Sequence, residues 1–265
     1  MNDKLRAELV ALSHRLADVA RTETLQHFRT GGLEAANKLQ TGFDPVTIAD
    51  RAAERAMRDL IETARPDDGL LGEELGNKAS KSGLTWVLDP IDGTRGYISG
   101  TPTWGTLIGL HDGQSVIMGL IDQPYIGERF LGGLGQAEFT GPHGKAKLRV
   151  SKTQQLANAT IFTTFPEVGT DADAQGFRAV AQQCQLTRYG MDCYAYALLA
   201  LGQIDLVVEA GLAPYDIQGP LGVIEAAGGI VTDWQGGPAD QGGRIVAAAT
   251  PELHAAALER LLPYV

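Results

Sequence analysis

Cysteine is scarce. Cys184 and Cys193 are the only two in 265 residues, and no C-x-x-C pair occurs. That excludes a disulfide framework and a structural zinc site. Positive charge is also short, with 22 Lys and Arg against 32 Asp and Glu, a formal net charge of −10. No Lys/Arg cluster supplies the basic face that phosphate contacts need, so nucleic acid is excluded as a partner. No run approaches the ~18 uninterrupted apolar residues of a membrane span. The opening stretch MNDKLRAELVALSHRLADVA mixes charged with apolar residues and lacks the apolar centre of a signal peptide. The expectation is therefore a protein of the reducing cytoplasm without membrane contact, in which the Asn158-Ala159-Thr160 sequon is a chance match. The motifs G-x-S-x-G, H-E-x-x-H and G-x-x-x-x-G-K-[ST] are missing too. His14, His27, His111, His143 and His254 are scattered without ligand spacing, which argues against zinc.

What is present is an ordinary globular composition, 44% apolar and 20% charged. A chain of this length hides about 70–75% of its unfolded surface. The 33 glycines show no G-X-Y period and predict tight turns. With no repeat, linker or composition shift, the chain reads as one domain over 1–265 with two lobes, about 1–145 and 146–265.

Leu5, Leu9, Leu12, Leu16 and Val19 mark an amphipathic helix ending near Phe28 and Gly31-Gly32, and Ile48, Ala52, Ala56 and Leu60 mark a second from Thr47 to about Ala64. The period then changes to two. Strands are expected at Thr85–Leu88, Thr106–Leu110 and Ser115–Ile121, with a hairpin turn at His111–Gln114, and shorter ones at Arg129–Leu131 and Ala137–Phe139. The second half predicts strands Thr160–Thr164, Asp205–Glu209, Gly229–Thr232 and Ile245–Ala248. Its expected helices are Ala174–Gln183, Cys193–Leu201, Ile217–Ala227 and Pro251–Leu262. Hairpins with interspersed helices indicate a layered α/β (α+β) fold.

The segment Trp86-Val87-Leu88-Asp89-Pro90-Ile91-Asp92-Gly93-Thr94 carries the most chemistry. A strand ending at Asp89 and a turn through Pro90 and Gly93 can aim the carboxylates of Asp89 and Asp92 and the Ile91 carbonyl at one point. Hard oxygens so placed suit Mg²⁺. The same residues also suit a turn in which the aspartates only cap backbone N–H groups. Two further acidic sites carry similar alternatives. Glu73-Glu74, after Leu70-Leu71, are ligands or solvated charge, and Asp216 is a ligand or a helix N-cap. Trp86 and Trp104 read as core residues.

Taken together, Glu73-Glu74, Asp89-Pro90-Ile91-Asp92-Gly93-Thr94, Tyr215-Asp216 and Glu225-Ala226-Ala227-Gly228-Gly229 resemble the inositol-monophosphatase-like phosphatases, and Asp44-Pro45-Val46-Thr47-Ile48-Ala49-Asp50 fits their upstream motif. The resemblance runs from about Asn37 to Asp233. Thr94–Gly100 and Gly190–Tyr196 look like the histidinol-phosphate phosphatase branch, although Met191 stands where that branch has a small residue.

The resemblance implies an αβαβα sandwich, a homodimer, and a cluster of roughly two or three Mg²⁺ ions. Glu73, Asp89 and the Ile91 carbonyl would hold the first ion, and Asp89, Asp92 and Asp216 the second. Asp50 and Thr94 would orient and deprotonate the attacking water, so Asp50, Thr94 and Glu73 are the catalytic candidates. The N–H groups of Gly93 and Thr94 would receive phosphate. Histidinol carries an ammonium group that inositol lacks, so spare carboxylates are expected for it, with Asp192 and Glu209 as candidates. Asp192 reads equally as an N-cap, and Arg95 as a phosphate-steering group or a surface partner. The expected activity is hydrolysis of a small phosphate ester: histidinol phosphate first, inositol or sugar phosphates second. A binding protein that had kept only the fold would have lost some of these ligands.

Overall fold

The computed structural model describes residues 1–30, 36–37, 45–165, 167 and 169–265; Gly31-Gly32 and Asp44 lie outside them. The first helix, α1 (Asp3–Leu25), is capped by Asn2, whose side chain accepts the Leu5 N–H at 2.9 Å. A two-residue strand pair, β1 (Ala36–Asn37) and β2 (Pro45–Val46), precedes α2 (Ile48–Ala64). Thr47 and Asp50 close a capping box on α2, satisfying N–H groups that the first helical turn leaves free.

A seven-stranded sheet follows, in the order β3 (Gly69–Gly72), β4 (Thr85–Asp92), β5 (Gly105–His111), β6 (Val116–Gln123), β7 (Glu128–Gly133), β8 (Gln136–Gly141) and β9 (Gly144–Lys147). Only β3 and β4 are parallel. The short helix α3 (Thr94–Ser99) lies between β4 and β5. The later elements are β10 (Thr160–Thr163), α4 (Asp171–Ala181), β11 (Leu186–Tyr189), α5 (Cys193–Ala200), β12 (Leu206–Leu212), α6 (Pro214–Ala226), β13 (Ile230–Asp233), β14 (Gly243–Ala248) and α7 (Pro251–Leu261). Their strands form a second sheet in the order β11-β10-β12-β14-β13.

Strand alternation sets the layers. Ile108, Leu110 and Leu120 face α1 and α2, packing with Leu9, Leu16, Met57 and Ile61. Their neighbours Leu107 and Ile121 face the opposite way, toward Ile217, Val223 and Ile224 of α6. Val207, Ile245 and Ala247 of the second sheet join that same middle layer. Leu206, Val208, Val246 and Ala248 point outward to Phe177 of α4 and to Leu253 and Ala257 of α7. The result is the expected αβαβα stack. Trp86 and Trp104 are fully buried, as anticipated; the Trp86 Nε1 donates to Asp68 Oδ2 at 3.0 Å, and Trp104 packs against Phe28 and Tyr97. Among the described residues, no helix is long and apolar enough to cross a membrane.

Helix α6 lies unusually close to the larger sheet because glycines face each other across the contact. A methyl group on Gly119 would land on the Gly219 carbonyl, and one on Gly222 would land on the Gly119 amide. Backbone thus rests on backbone, and the first turn of α6 is held at a set height above β5 and β6.

Three local expectations are corrected. β4 does not end at Leu88 but continues through Asp92, with a bulge between the pairs Asp89–Leu107 and Asp92–Gly105. Pro90 has no N–H to contribute, and its carbonyl takes the Thr106 hydroxyl at 2.8 Å. α6 begins at Pro214 rather than Ile217, since proline is well suited to a first helical position. Strands β9 and β11 went unanticipated: β9 is exposed along its whole length, so no apolar alternation betrays it.

Candidate functional site

The bulged end of β4, the start of α3, the loop after β3 and the first turns of α5 and α6 surround a cavity of about 510 Å³. Carboxylate oxygens of Asp89, Asp92 and Asp216 lie within 4.8 Å of one another. Asp216 is not the N-cap of α6. It is the third helical residue, and its Oδ2 accepts the Ala213 N–H at 2.7 Å. Asp92 Oδ2 accepts the Cys193 N–H at 2.6 Å, where the first turn of α5 offers a free amide. Asp89 Oδ1 accepts the Ile91 N–H at 3.0 Å, so the turn-capping and ligand readings of this residue coexist.

Burial and mutual repulsion act together here. Asp89 is held well above the usual carboxylate range, first by burial and then by the charges of Glu73, Asp92 and Asp216. Asp92 is raised as well, by burial and then by Asp192 and Asp216. Glu73 is within hydrogen-bond reach of Asp89 and lines the cavity. Its neighbour Glu74 does not. The Glu74 side chain is 3% exposed and reaches Arg51 at 4.0 Å, so neither glutamate is the solvated charge that the alternative reading allowed.

Thr94 lines the cavity, and its hydroxyl donates to the Ile91 carbonyl at 3.0 Å rather than to Asp50. Asp50 sits behind, fully buried in the first turn of α2. Its Oδ2 accepts the Thr47 N–H at 2.8 Å and the Thr47 hydroxyl at 2.6 Å, while Oδ1 has no hydrogen-bond partner among the described residues. Burial raises its carboxyl against the pull of those Thr47 bonds.

Another wall of the cavity carries Arg95, Asp192 and Glu209. Asp192 occupies the N-cap position of α5 without capping it, at φ 48° and ψ −142°, strained for a residue with a side chain. Its Oδ2 accepts the Thr103 hydroxyl at 3.3 Å, and its carboxyl is raised by burial, opposed by that bond and by Arg95. Gly93, at φ 84°, allows this approach, since a Cβ there would come within 2.7 Å of Asp192 Cγ. Arg95 lies over the Phe165 ring, 5.0 Å from its centroid. Glu209 is buried on β12 and accepts from the Thr163 hydroxyl at 3.1 Å, the Thr164 N–H at 2.7 Å and the Thr164 hydroxyl at 3.0 Å. Burial nevertheless pushes its carboxyl up to about 7.

Sequence reasoning passed over Thr163, Thr164 and Phe165, and it passed over Glu54 with Arg58 of α2. An acid and a base four residues apart on a helix look like a solvated pair. Here Glu54 is fully buried.

The donor set fits a hard divalent cation, since three carboxylates converge and no His or Cys takes part among the described residues. Mutual repulsion among Asp89, Asp92 and Asp216 is the penalty such a cation removes.

The chain matches the inositol monophosphatase family over residues 5–264. It is 37% identical to the chloroplastic bifunctional phosphatase IMPL2 of Arabidopsis thaliana, over 98% of this chain and 77% of that one. It is 32% identical to a histidinol-phosphatase of Streptomyces coelicolor, over 92% of each. The solved inositol monophosphatase from Zymomonas mobilis superposes with a TM-score of 0.84 at 37% identity, over 97% of this chain and 98% of that one. The chain belongs to the inositol monophosphatase family and is a phosphoric monoester hydrolase.

Proposed function

We propose that this phosphatase is Mg²⁺-dependent and hydrolyses L-histidinol phosphate to L-histidinol and phosphate. The observation that carries the substrate choice is a pair of carboxylates, half-buried Asp192 and buried Glu209, lining the same cavity but lying outside the cluster of Asp89, Asp92 and Asp216. An ammonium group gains from such carboxylates, whereas a neutral polyol does not need their charge. A histidinol-phosphatase among the relatives supports the same reading.

In this reading Glu73, Asp89 and the Ile91 carbonyl would hold one ion, and Asp89, Asp92 and Asp216 another. Bound Mg²⁺ supplies Lewis-acid neutralisation of phosphate charge and lowers the pKa of water. The chain's own groups do the rest. The N–H groups of Gly93 and Thr94 would receive phosphate oxygens. Asp50, raised by burial and with Oδ1 unpartnered among the described residues, would accept the proton of the attacking water once the Thr94 hydroxyl turns from the Ile91 carbonyl to bridge the two.

A second reading, inositol monophosphate as substrate, is favoured by the likeness to the Zymomonas mobilis structure. Phosphate release measured side by side on histidinol phosphate and inositol 1-phosphate, with and without Mg²⁺, separates them. Preference for histidinol phosphate is expected, and preference for the polyol would reject the roles given to Asp192 and Glu209.

The pH profile adds a check. The raised carboxyl of Glu209 stays neutral below about 7 and gains its charge above it. kcat/KM for histidinol phosphate should therefore rise through that region, and Glu209→Gln should remove the inflection. The variant should also raise KM about tenfold or more, since a hydrogen bond to a charged group is worth about 1.5–3 kcal/mol.

A further inference from the structure

We infer that Glu54, acting with Arg58, is the positioning residue for Glu73. The inference rests on the reading of Glu73 as a metal ligand. Glu54 lies one turn beyond Asp50 on α2, with no exposed surface. Its Oε2 accepts the Glu74 N–H at 2.7 Å, and its Oε1 accepts the Leu75 N–H at 3.2 Å. Arg58 donates from Nε to Glu54 Oε1 at 2.7 Å, from Nη1 to the Gly76 carbonyl at 2.7 Å and from Nη2 to the Leu75 carbonyl at 3.0 Å. One ion pair thus satisfies both the donors and the acceptors of a segment outside any strand.

Glu73 is the residue just before that segment. Its own N–H donates to the Leu88 carbonyl at 3.2 Å, beside Asp89. The Glu73 backbone is therefore held by β4 on one side and by α2 on the other, and its carboxylate is left to face Asp89. Gly72 completes the clamp. A Cβ there would come within 2.5 Å of the Glu54 Cδ and 2.7 Å of the Arg58 Nη2. A buried ion pair is weak support for stability in its own right, because desolvation offsets its attraction. What this one supplies is geometry: a single face of α2 places both Asp50 and Glu73.

The test is Mn²⁺ binding to the purified enzyme, followed by electron paramagnetic resonance, with folding checked by circular dichroism in EDTA. Glu54→Gln should weaken the tightest site about ten- to hundredfold, the range for groups that orient a ligand. On a Glu73→Gln background the same change should cost nothing further, because its effect passes through Glu73. Unchanged affinity in folded Glu54→Gln, or an additive loss in the double variant, would overturn the inference. If Glu73→Gln alone binds Mn²⁺ like the wild type, the ligand reading fails instead. Should Glu54→Gln not fold, Arg58→Lys decides: it keeps a charge for Glu54 but loses the fork to Leu75 and Gly76. It should weaken Mn²⁺ only where Glu73 is present, and wild-type affinity there would overturn the inference equally.

Discussion

Asp92→Asn lowers phosphate release by about a thousandfold or more and, in EDTA, raises the melting temperature. The first effect follows from the site. A cation held there would neutralise transition-state charge by several kcal/mol, and each 1.36 kcal/mol is tenfold in rate. Asparagine keeps the volume and can still accept the Cys193 N–H that Asp92 holds at 2.6 Å. What it loses is the charge.

The second effect follows from the burial and repulsion that raise this carboxyl. The Asp92 carboxyl is raised in the folded protein, so the native state holds its proton more tightly than the unfolded chain does. Its contribution to metal-free stability therefore falls as pH rises above the usual carboxylate range, and asparagine removes that penalty. The gain of the variant over the wild type should be small near about pH 5 and larger near about pH 8. The comparison between variant and wild type matters, because Asp112 and Asp173 are lowered and shift the absolute melting curve the other way. Saturating Mg²⁺ should reverse the order, since binding stabilises the wild type by RT ln(1 + [L]/Kd). Differential scanning fluorimetry and a phosphate-release assay read both halves. Turnover near that of the wild type under saturating Mg²⁺ would sink the site assignment.

Gly119→Ala is the second large effect, and it acts away from the acids. The added methyl meets the Gly219 carbonyl of α6 directly. Overpacking of this kind costs about 1–3 kcal/mol, and no flexible side chain is available to yield. For a chain of this size, 1 kcal/mol corresponds to roughly 2–4 °C, so a fall of about 3–10 °C in melting temperature is expected. Because α6 carries Asp216 in its first turn, lifting the helix also draws that carboxylate away from Asp89 and Asp92. Mg²⁺ affinity should fall with stability. Gly76→Ala is the control for melting temperature alone, since a Cβ there meets nothing within 4 Å. Unaltered melting and metal dependence in Gly119→Ala would show that the backbone contact does not set the site.

Much of this arrangement is local and so was legible along the chain. The three- and four-residue spacing of Leu9, Leu12 and Leu16 makes a helix wherever that segment sits, and Thr47 with Asp50 starts α2 by a bond spanning three residues. The run from Asp89 to Thr94 could be read as a converging oxygen set because its ligands are sequence neighbours. Other features depend on partners far along the chain. Glu54 looks solvated until the loop after β3 closes over it, about twenty residues away. Asp192 looks like an ordinary cap until Gly93 and Thr103 hold it in a strained conformation facing the cavity.

The sequence by itself determined the starts of α2, α5 and α7, the acidic turn and the chemistry of its donors, since each is settled within a few residues by backbone geometry and side-chain type. Only the tertiary structure decided how high α6 rides above the sheet, which face of α2 grips the segment after Glu73, and how far burial raises Glu209. Those depend on packing between elements and on water excluded from buried side chains, and no stretch of chain carries that information alone.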